Sequence, residues 1–559
     1  MISAIYSEEG RRRINHRVNG GGPWDRIAMS IATRLISPLR RMPALLAFLA
    51  VAGCTSGGSS LAANVDYERD RRMFIAGYED IDQYYILKED LGNLTVGGLS
   101  ALAALDQKIT VARKDGKINL DYAGATAASF VVTDSFEADD WAVLTAGALV
   151  AARKISPTIA KAGSEVVYQT IFNGMLARLD QFSRYAGHDA AAENRATREG
   201  FGGIGVRIAV EDGKVRVVSV MHYTPAERVG LHTDDIITAI DGTSTKGLDQ
   251  QAVVGMLRGA DDSRVMLTVQ RGTSDKPLSF AVTRAHVVPE TVTYRREGDI
   301  AYIRMYGFNQ GTADSLHREI DNARSDMGEN MRGIVLDLRG NPGGLLDQAV
   351  AVSDMFLSSG RIVSTHGRNP DSHQYFEATP GDVIDGLPIA VLINGNSASA
   401  SEIVAAALQD NDRAVVIGSN SYGKGTVQEL RRLPNDGELT LTWARFHAPS
   451  GYTLHHVGVL PSICTNKDDE DATQLLADLG AGKLPPLPVE QRNATSPDDT
   501  PGLDKIRAVC PVDHTERAVD LEVAIRLLTQ PRLYARAVAL AEPIGKASAT
   551  LPGPSLTPP

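Results

Sequence analysis

The sequence of 559 residues contains only three cysteines and few aromatic residues (6%). It has no CxxC pair, no HExxH and no GxSxG, so a zinc centre and a nucleophile elbow have no motif to support them. The apolar run at residues 43–53 is shorter than the ~20 residues that a membrane-spanning helix needs. A net charge of −11 argues against a nucleic-acid groove.

Two glycine-rich stretches match nucleotide-binding motifs only in part. GSNSYGKG, residues 418–425, has the spacing of a phosphate-binding loop, but Gly425 stands where that loop needs Ser or Thr. Alternating residues around the turn at 434–437 predict two strands after it, not a helix. The GxGxxG at residues 200–205 follows a helical pattern and precedes strands, the reverse of the dinucleotide order. We therefore predict no nucleotide, no metal and no other cofactor, and Lys424 needs another role.

The N-terminus has the layout of a signal peptide. Arg40 and Arg41 precede the apolar run, which ends in small residues at Cys54. Val-Ala-Gly-Cys resembles a bacterial lipobox, so residues 1–54 are predicted to be a signal peptide with lipidation at Cys54. A buried helix ending in Gly-Cys is the alternative. The first 28 residues fit no signal region, so Met29 and Met42 are alternative translation starts.

An apolar content of 43% and a charged content of 22% are ordinary for a soluble globular protein, and the length suggests three or four domains. Apolar residues recur at helical spacing through residues 65–190, which predicts a helical N-terminal region. Strand and helix patterns alternate through residues 290–470, which predicts helices covering a largely parallel sheet. Residues 471–559 are predicted to form a polar, Pro-rich linker, one helix at 517–540 and a disordered tail.

Residues 199–288 resemble a PDZ domain of the bacterial protease type. The stretch GFGGIGVRIAV would place Gly202, Gly203, Ile204 and Gly205 in the loop whose N–H groups capture a C-terminal carboxylate. The helix of LDQQAVVGMLRG would line the groove, and the peptide would add as a strand. The alternative is that these glycines form a glycine-rich hairpin turn with no role in peptide binding.

Polar and glycine-rich stretches follow three predicted strands: RGNPGG at 339–344, residues 394–401 and residues 419–425. The carboxyl ends of strands are where α/β folds collect ligands, and glycine-rich backbone can supply N–H groups for an oxyanion. A serine hydroxyl needs a base, and a lysine can serve when burial lowers its pKa. Each feature alone could be a helix cap or a surface charge.

The motifs SASASEIVAAALQD and YGKGTVQ, together with DLRGNPGG, resemble the active site of carboxyl-terminal processing (tail-specific) serine proteases. The resemblance covers residues 165–465 and implies a multidomain α/β protein. Its parts would be a helical N-terminal region, a PDZ domain and an α/β serine-protease core of the ClpP/crotonase type.

The resemblance also implies roles for single residues. Ser399 would be the nucleophile and Lys424, 25 positions later, the general base. Gln428 would orient the lysine, and the N–H groups of Ala400 and Gly344 would bind the oxyanion. Asn396 before the serines and Ser462 after Pro461 depart from the usual family pattern, but neither stands at a proposed catalytic position.

Two rival functions remain open. Ser421 and Lys424 have the spacing of the SxxK motif of penicillin-binding proteins. That motif needs a helix, and the glycines on both sides of Lys424 argue against one. The second rival function is that of a PDZ peptide-binding scaffold with an inactive protease-like domain.

Together with the predicted signal peptide and lipobox, the resemblance implies an exported serine endopeptidase on the periplasmic face of the outer membrane, anchored there by lipid on Cys54. Its partners would be polypeptides with exposed, apolar C-termini, and an adaptor or activator protein could assist. If Cys54 is lipidated, Cys464 and Cys510 remain as one pair in an oxidising compartment, and we predict a disulfide between them.

Overall fold

The protein is described by a computed structural model that covers residues 59–273, 276–467, 471–496 and 498–542. From Leu61 onward the described residues belong to one compact unit. The predicted signal peptide and Cys54 lie outside the described residues. Within those ranges, no helix combines the length and apolarity that a membrane span requires.

The N-terminal region packs five helices around one core. Met73, Phe74, Tyr78 and Ile81 recur at helical spacing and are buried, as predicted. The helices and strands of this region are α1 Ser59–Tyr84, α2 Leu91–Ser100, β1 Ile109–Lys114, β2 Lys117–Tyr122, β3 Ala125–Val131, α3 Ala138–Ile155, α4 Pro157–Lys161 and α5 Ser164–Leu176.

The three antiparallel strands β1 to β3 form a small sheet within this largely helical region. Asp115 and Gly116 both have positive φ (51° and 68°) and join β1 to β2 in a tight hairpin, with Lys114 opposite Lys117. Asp-Gly between the segments ITVARK and KINLDY is a hairpin signal, so the sequence did contain a sign of this hairpin.

The short strand β4 Arg184–Ala186 and the helix α6 His188–Glu199 precede the PDZ region. The elements of the PDZ region are β5 Phe201–Gly203, β6 Val206–Glu211, β7 Lys214–Val220, α7 Pro225–Arg228, β8 Ile236–Ile240, β9 Thr243–Ser244, α8 Gln250–Leu257, β10 Arg264–Gln270, β11 Leu278–Thr283 and β12 Ala285–Val287. The sheet runs β11-β10-β8-β7-β6, so β6 lies at an edge. The entering strand β5 pairs with the leaving strand β12, with Gly203 opposite Ala285.

The core has the predicted alternation of strands and helices. Its elements are β13 Val292–Glu297, β14 Ile300–Met305, α9 Thr312–Met327, β15 Gly333–Asp337, α10 Leu346–Asp354, β16 Arg361–His366, β17 Gln374–Glu377, β18 Ile389–Ile393, α11 Ala400–Asp410, β19 Ala414–Gly418, β20 Thr426–Arg432, β21 Glu438–His447 and β22 Ile463–Cys464. The main sheet runs β13-β14-β15-β18-β19-β22 and is parallel from β14 to β22. A second sheet, β17-β16-β21-β20, also pairs with β4.

The C-terminal region contains five helices where a linker and one helix were predicted: α12 Ala472–Gly480, α13 Val489–Ala494, α14 Thr500–Arg507, α15 Ala518–Leu528 and α16 Pro531–Ala539. Pro531 starts α16 and breaks the single predicted helix, because proline cannot donate the backbone hydrogen bond of a helix interior.

The main sheet is covered on both faces, as its apolar strands require. Leu336, Val391 and Val416 face the cluster that contains α9, α10 and α11. Their neighbours Val335, Leu392 and Val415 face a cluster that includes Val523, Leu527 and Leu476 of the C-terminal helices. A disulfide joins Cys464, at the end of β22, to Cys510, with the Cα atoms 5.8 Å apart.

Candidate active site

Ser399 lies between the buried strand β18 and the first residue of α11. Its φ of 56° and ψ of −114° are unusual for a residue with a side chain, and the residue is 8% exposed. Such backbone strain persists only where the surroundings impose it, and it is common at functional sites. The loop therefore holds one serine at a helix start in a fixed, strained position.

The RGNPGG loop packs directly against this serine. A Cβ atom on Gly343 would lie 2.8 Å from the Ser399 Cβ and 2.9 Å from the Ala400 nitrogen, so only glycine fits there. The Gly343 N–H donates to Asn341 Oδ1. Among the described residues, the Gly344 and Ala400 N–H groups have no acceptor. Two unbonded N–H groups beside a serine are what an oxyanion hole requires.

Lys424 follows the next parallel strand, β19, and is partly buried. Burial, followed by the positive charge of Arg184, lowers its pKa, while Glu402 and Asp180 oppose this shift. The Lys424 Nζ lies 5.3 Å from the centroid of the Phe182 ring. This lysine therefore loses its proton more readily than a lysine in water.

Glu402, on the first turn of α11, connects the serine and lysine loops. Its Oε2 accepts hydrogen bonds from the backbone nitrogens of Ser399 (2.7 Å) and Lys424 (2.9 Å). Its Oε1 accepts from the Ser421 hydroxyl (2.6 Å) and the Gly423 nitrogen (2.7 Å). One carboxylate thus fixes the backbone of both proposed catalytic residues.

The side chains of Ser399 and Lys424 are not hydrogen bonded to each other, nor is Lys424 bonded to Gln428, among the contacts of the described residues. The Gln428 amide instead donates to Thr426 Oγ1 at 2.8 Å. The expected orienting contact of Gln428 is therefore absent from this arrangement.

The sequence-based prediction did not include several groups that lie at the site. Phe182 and Arg184 come from the N-terminal region, and pairing of β4 with β21 brings them to the lysine. The backbone nitrogen of His456 donates to Gly423 O at 3.0 Å, which brings the distant His455–His456 segment to the lysine loop. Burial, followed by the charge of His456, lowers the pKa of His455 to about 4.

A cleft of about 990 Å³ opens beside the lysine loop, and its walls include Tyr85, Phe182, His366, Thr426, Thr442 and His455. The described His, Cys, Asp and Glu side chains include no group of three or more placed to hold a metal ion. The space is large enough for several residues of an extended peptide.

The PDZ region has a second, smaller cavity of about 170 Å³ beside the edge strand β6. Gly203, Ile204 and Gly205 line it, with apolar side chains of Ile208, Val254 and Leu257. The Ile204 and Gly205 N–H groups have no acceptor among the described residues. Gly202 does not line this cavity. Its carbonyl accepts a hydrogen bond from Gly259 N, and a Cβ atom on Gly202 would lie 2.1 Å from Gly259 O.

Comparison with known families matches two segments. Residues 299–465 match peptidase family S41, and residues 202–282 match the PDZ domain. The first segment contains the Ser399, Glu402 and Lys424 arrangement, and the second contains the small cavity.

Named relatives are similar over a longer stretch. A carboxy-terminal-processing protease of Bartonella bacilliformis is 43% identical over 297 residues, which are 53% of this chain and 68% of that protein. A CtpA-like serine protease of Staphylococcus aureus is 33% identical over 308 residues, 54% of this chain and 61% of that protein. A solved photosystem II D1 C-terminal processing protease is 23% identical, covers 70% of this chain and 92% of its own, and has a TM-score of 0.36.

Proposed function

This chain belongs to peptidase family S41 and is a serine peptidase, and on that premise we propose that it is an exported endopeptidase that cleaves proteins recognised through apolar C-terminal tails, with Ser399 and Lys424 as its dyad. One observation carries the dyad: Glu402 binds the backbone nitrogens of both residues through the same carboxylate oxygen.

The chemistry follows from the groups in place. Neutral Lys424 takes the proton of Ser399 Oγ as that oxygen attacks the scissile carbonyl carbon. The Ala400 and Gly344 N–H groups donate to the oxyanion that forms. The lysine then gives its proton to the leaving amine, and water, activated by the same base, hydrolyses the acyl-enzyme.

The PDZ cavity supports recognition of apolar tails. The unbonded N–H groups of Ile204 and Gly205 suit a terminal carboxylate, and Val254 and Leu257 suit an apolar last side chain. The edge strand β6 has free backbone groups to pair with the tail.

Export is supported by the cysteines. The chain has three, of which Cys464 and Cys510 are joined and Cys54 ends the Val-Ala-Gly-Cys stretch. Structural disulfides persist in oxidising compartments. We place the protein at the periplasmic face of a bacterial outer membrane, held there by lipid on Cys54.

The test is cleavage of an unstructured protein that ends in apolar residues, with fragments mapped by mass spectrometry. The full chain should cut it at internal bonds, and Ser399→Ala should cut at least a thousandfold more slowly. If the two proteins bind the tail equally and neither cuts it, the chain is a PDZ scaffold and the proposed endopeptidase is wrong.

A further inference from the structure

We propose that residues 510–520, the C-terminal strap, form part of the active-site framework, and that the Cys464–Cys510 disulfide must close for the peptidase to turn over. This inference rests on the proposed function. The strap lies outside both segments that match known families, residues 202–282 and 299–465.

The strap holds the loop that carries the nucleophile. The Gly395 nitrogen donates to Asp513 O at 2.7 Å. The Asn394 amide donates to His514 O (3.1 Å) and Thr515 O (3.3 Å). The side chains of His514 and Asn396 are also hydrogen bonded, at 2.8 Å. Every residue from 394 to 396 is therefore bonded to the strap, directly before the serine turn.

The strap also holds the start of the lysine loop. Ser419 and Asp513 exchange two hydrogen bonds, Ser419 Oγ to Asp513 O (2.9 Å) and Asp513 N to Ser419 Oγ (3.1 Å). Just before the strap, at the end of α14, Arg507 donates to Ser421 O (3.3 Å) and His456 O (2.7 Å).

The RGNPGG loop is the third element that the strap contacts. The buried Arg339 donates to Arg517 O (2.9 Å) and to Asp520 (3.0 Å). Asn394 links this loop to the nucleophile loop, because its Oδ1 accepts from the Gly340 nitrogen at 2.9 Å. One C-terminal segment thus touches all three loops on which the proposed chemistry depends.

The disulfide fixes the strap at its first residue. Cys464 ends β22, which pairs with β19, the strand that leads into the lysine loop. Most strap residues between Pro511 and Glu516 are exposed, so their hydrogen bonds compete with water. The covalent link keeps the strap in place where those bonds alone would let it open.

Closure is a thiol–disulfide exchange. The Cys464 and Cys510 thiols lose two protons and two electrons, which reduce the disulfide of an oxidising thiol partner to two thiols. The chain would therefore be a poor peptidase in a reducing compartment and a competent one after export.

The experiment compares the oxidised full chain with the same protein reduced by a phosphine, on an unstructured substrate. We expect reduction to lower kcat at least tenfold and to leave KM, PDZ binding of a free tail peptide and the far-UV circular dichroism unchanged. Cys464→Ala/Cys510→Ala is the matched control: it should have the low kcat of the reduced protein and no response to reductant.

A second variant keeps the cysteines. Asn394→Asp retains the acceptor for Gly340 but replaces the donor to His514 and Thr515 with an oxygen, so kcat should fall about tenfold with KM unchanged. Hydrogen exchange should show faster exchange at Gly395 and Asp513 in every low-activity form.

A double-cysteine variant that keeps kcat within twofold, with unchanged exchange at these amides, would overturn the proposal. If the oxidised wild-type chain does not cleave at all, the proposed function fails, and exchange then decides the strap alone. Faster exchange at Gly395 on reduction would support the strap, and unchanged exchange would contradict it.

Discussion

Glu402 is a fully buried carboxylate that forms no ion pair within the described part of the chain. Burial raises its pKa, while the four donated hydrogen bonds stabilise its ionised form. Three of the four groups that contact it are backbone N–H donors, and the fourth is the Ser421 hydroxyl. These hydrogen bonds favour the carboxylate in place of a cation and oppose the effect of burial on its pKa.

Replacing this carboxylate tests how far it organises the site. Glu402→Gln keeps the shape but turns an NH₂ group toward N–H donors, which leaves buried groups unpaired. We expect the free energy of unfolding to fall by about 2–4 kcal/mol and kcat to fall at least a hundredfold. Denaturant titration and steady-state kinetics measure both. A variant with wild-type kcat would show that the carboxylate is merely structural.

Lys424 can act as a base only when it is neutral. Because burial and Arg184 lower its pKa, the neutral fraction rises with pH through a range below the ordinary value of 10.5. We expect kcat/KM to rise with pH in that range. Lys424→Arg should be as inactive as Ser399→Ala, since arginine keeps its proton. Substantial cleavage by the arginine variant would exclude lysine as the base.

The charge of Arg184 offers a finer test of the same base. Arg184→Gln removes a positive charge that disfavours protonated Lys424, so the pKa of Lys424 should rise. The acid limb of the pH–kcat/KM profile should move to higher pH, and the shift should be small because Arg184 is exposed and its charge is screened. Arg184→Lys keeps the charge and is the matched control. A shift to lower pH would point to another base.

The sequence motifs located Ser399 and Lys424 but could not reveal their surroundings. Glu402 stands inside the quoted SASASEIVAAALQD stretch, yet only the fold shows four donors meeting it. Phe182 and Arg184 reach the site through a strand pairing across more than 240 positions, which no local pattern predicts.

At the scale of elements, the groove beside the PDZ edge strand β6 leads to a prediction about the binding of tail peptides. If the Ile204 and Gly205 N–H groups bind a terminal carboxylate, amidation of a tail peptide should weaken binding at least tenfold. Fluorescence anisotropy on the full Ser399→Ala protein measures this without cleavage. Equal affinity for the free acid and the amide would mean that the groove recognises a feature of the peptide other than its terminal carboxylate.

Elements with strong periodicity were predicted well, and those with weak signals were not. The alternation from β14 to β19 and the hairpin β20–β21 agree with the prediction, because long apolar strands and an Asp-Gly turn specify them locally. The helices α13 and α14 were missed because they lie in or next to the Pro-rich, polar stretch PPLPVEQRNATSPDDTPG, which favours a linker. The helix α12 precedes that stretch, and its Leu476 and Leu479 pack against the main sheet.

At the scale of the whole molecule, the lipid anchor is the prediction that lies outside the described residues. Cys54→Ser removes the thiol that lipidation requires, so the protein should move from the membrane fraction to the soluble periplasmic fraction. Fractionation with immunoblotting checks this, and Ser399→Ala should stay in the membrane fraction. An unchanged distribution of the Cys54 variant would refute the lipobox.

The pairing of β5 with β12 brings the two ends of the PDZ region together, with Gly203 opposite Ala285. For the rest of the chain, the whole region is thus equivalent to a long insertion in a single surface hairpin. The chain therefore enters and leaves this region at adjacent points. In evolution, the region proposed to bind substrate tails can therefore be exchanged or lost without breaking the continuity of the peptidase core.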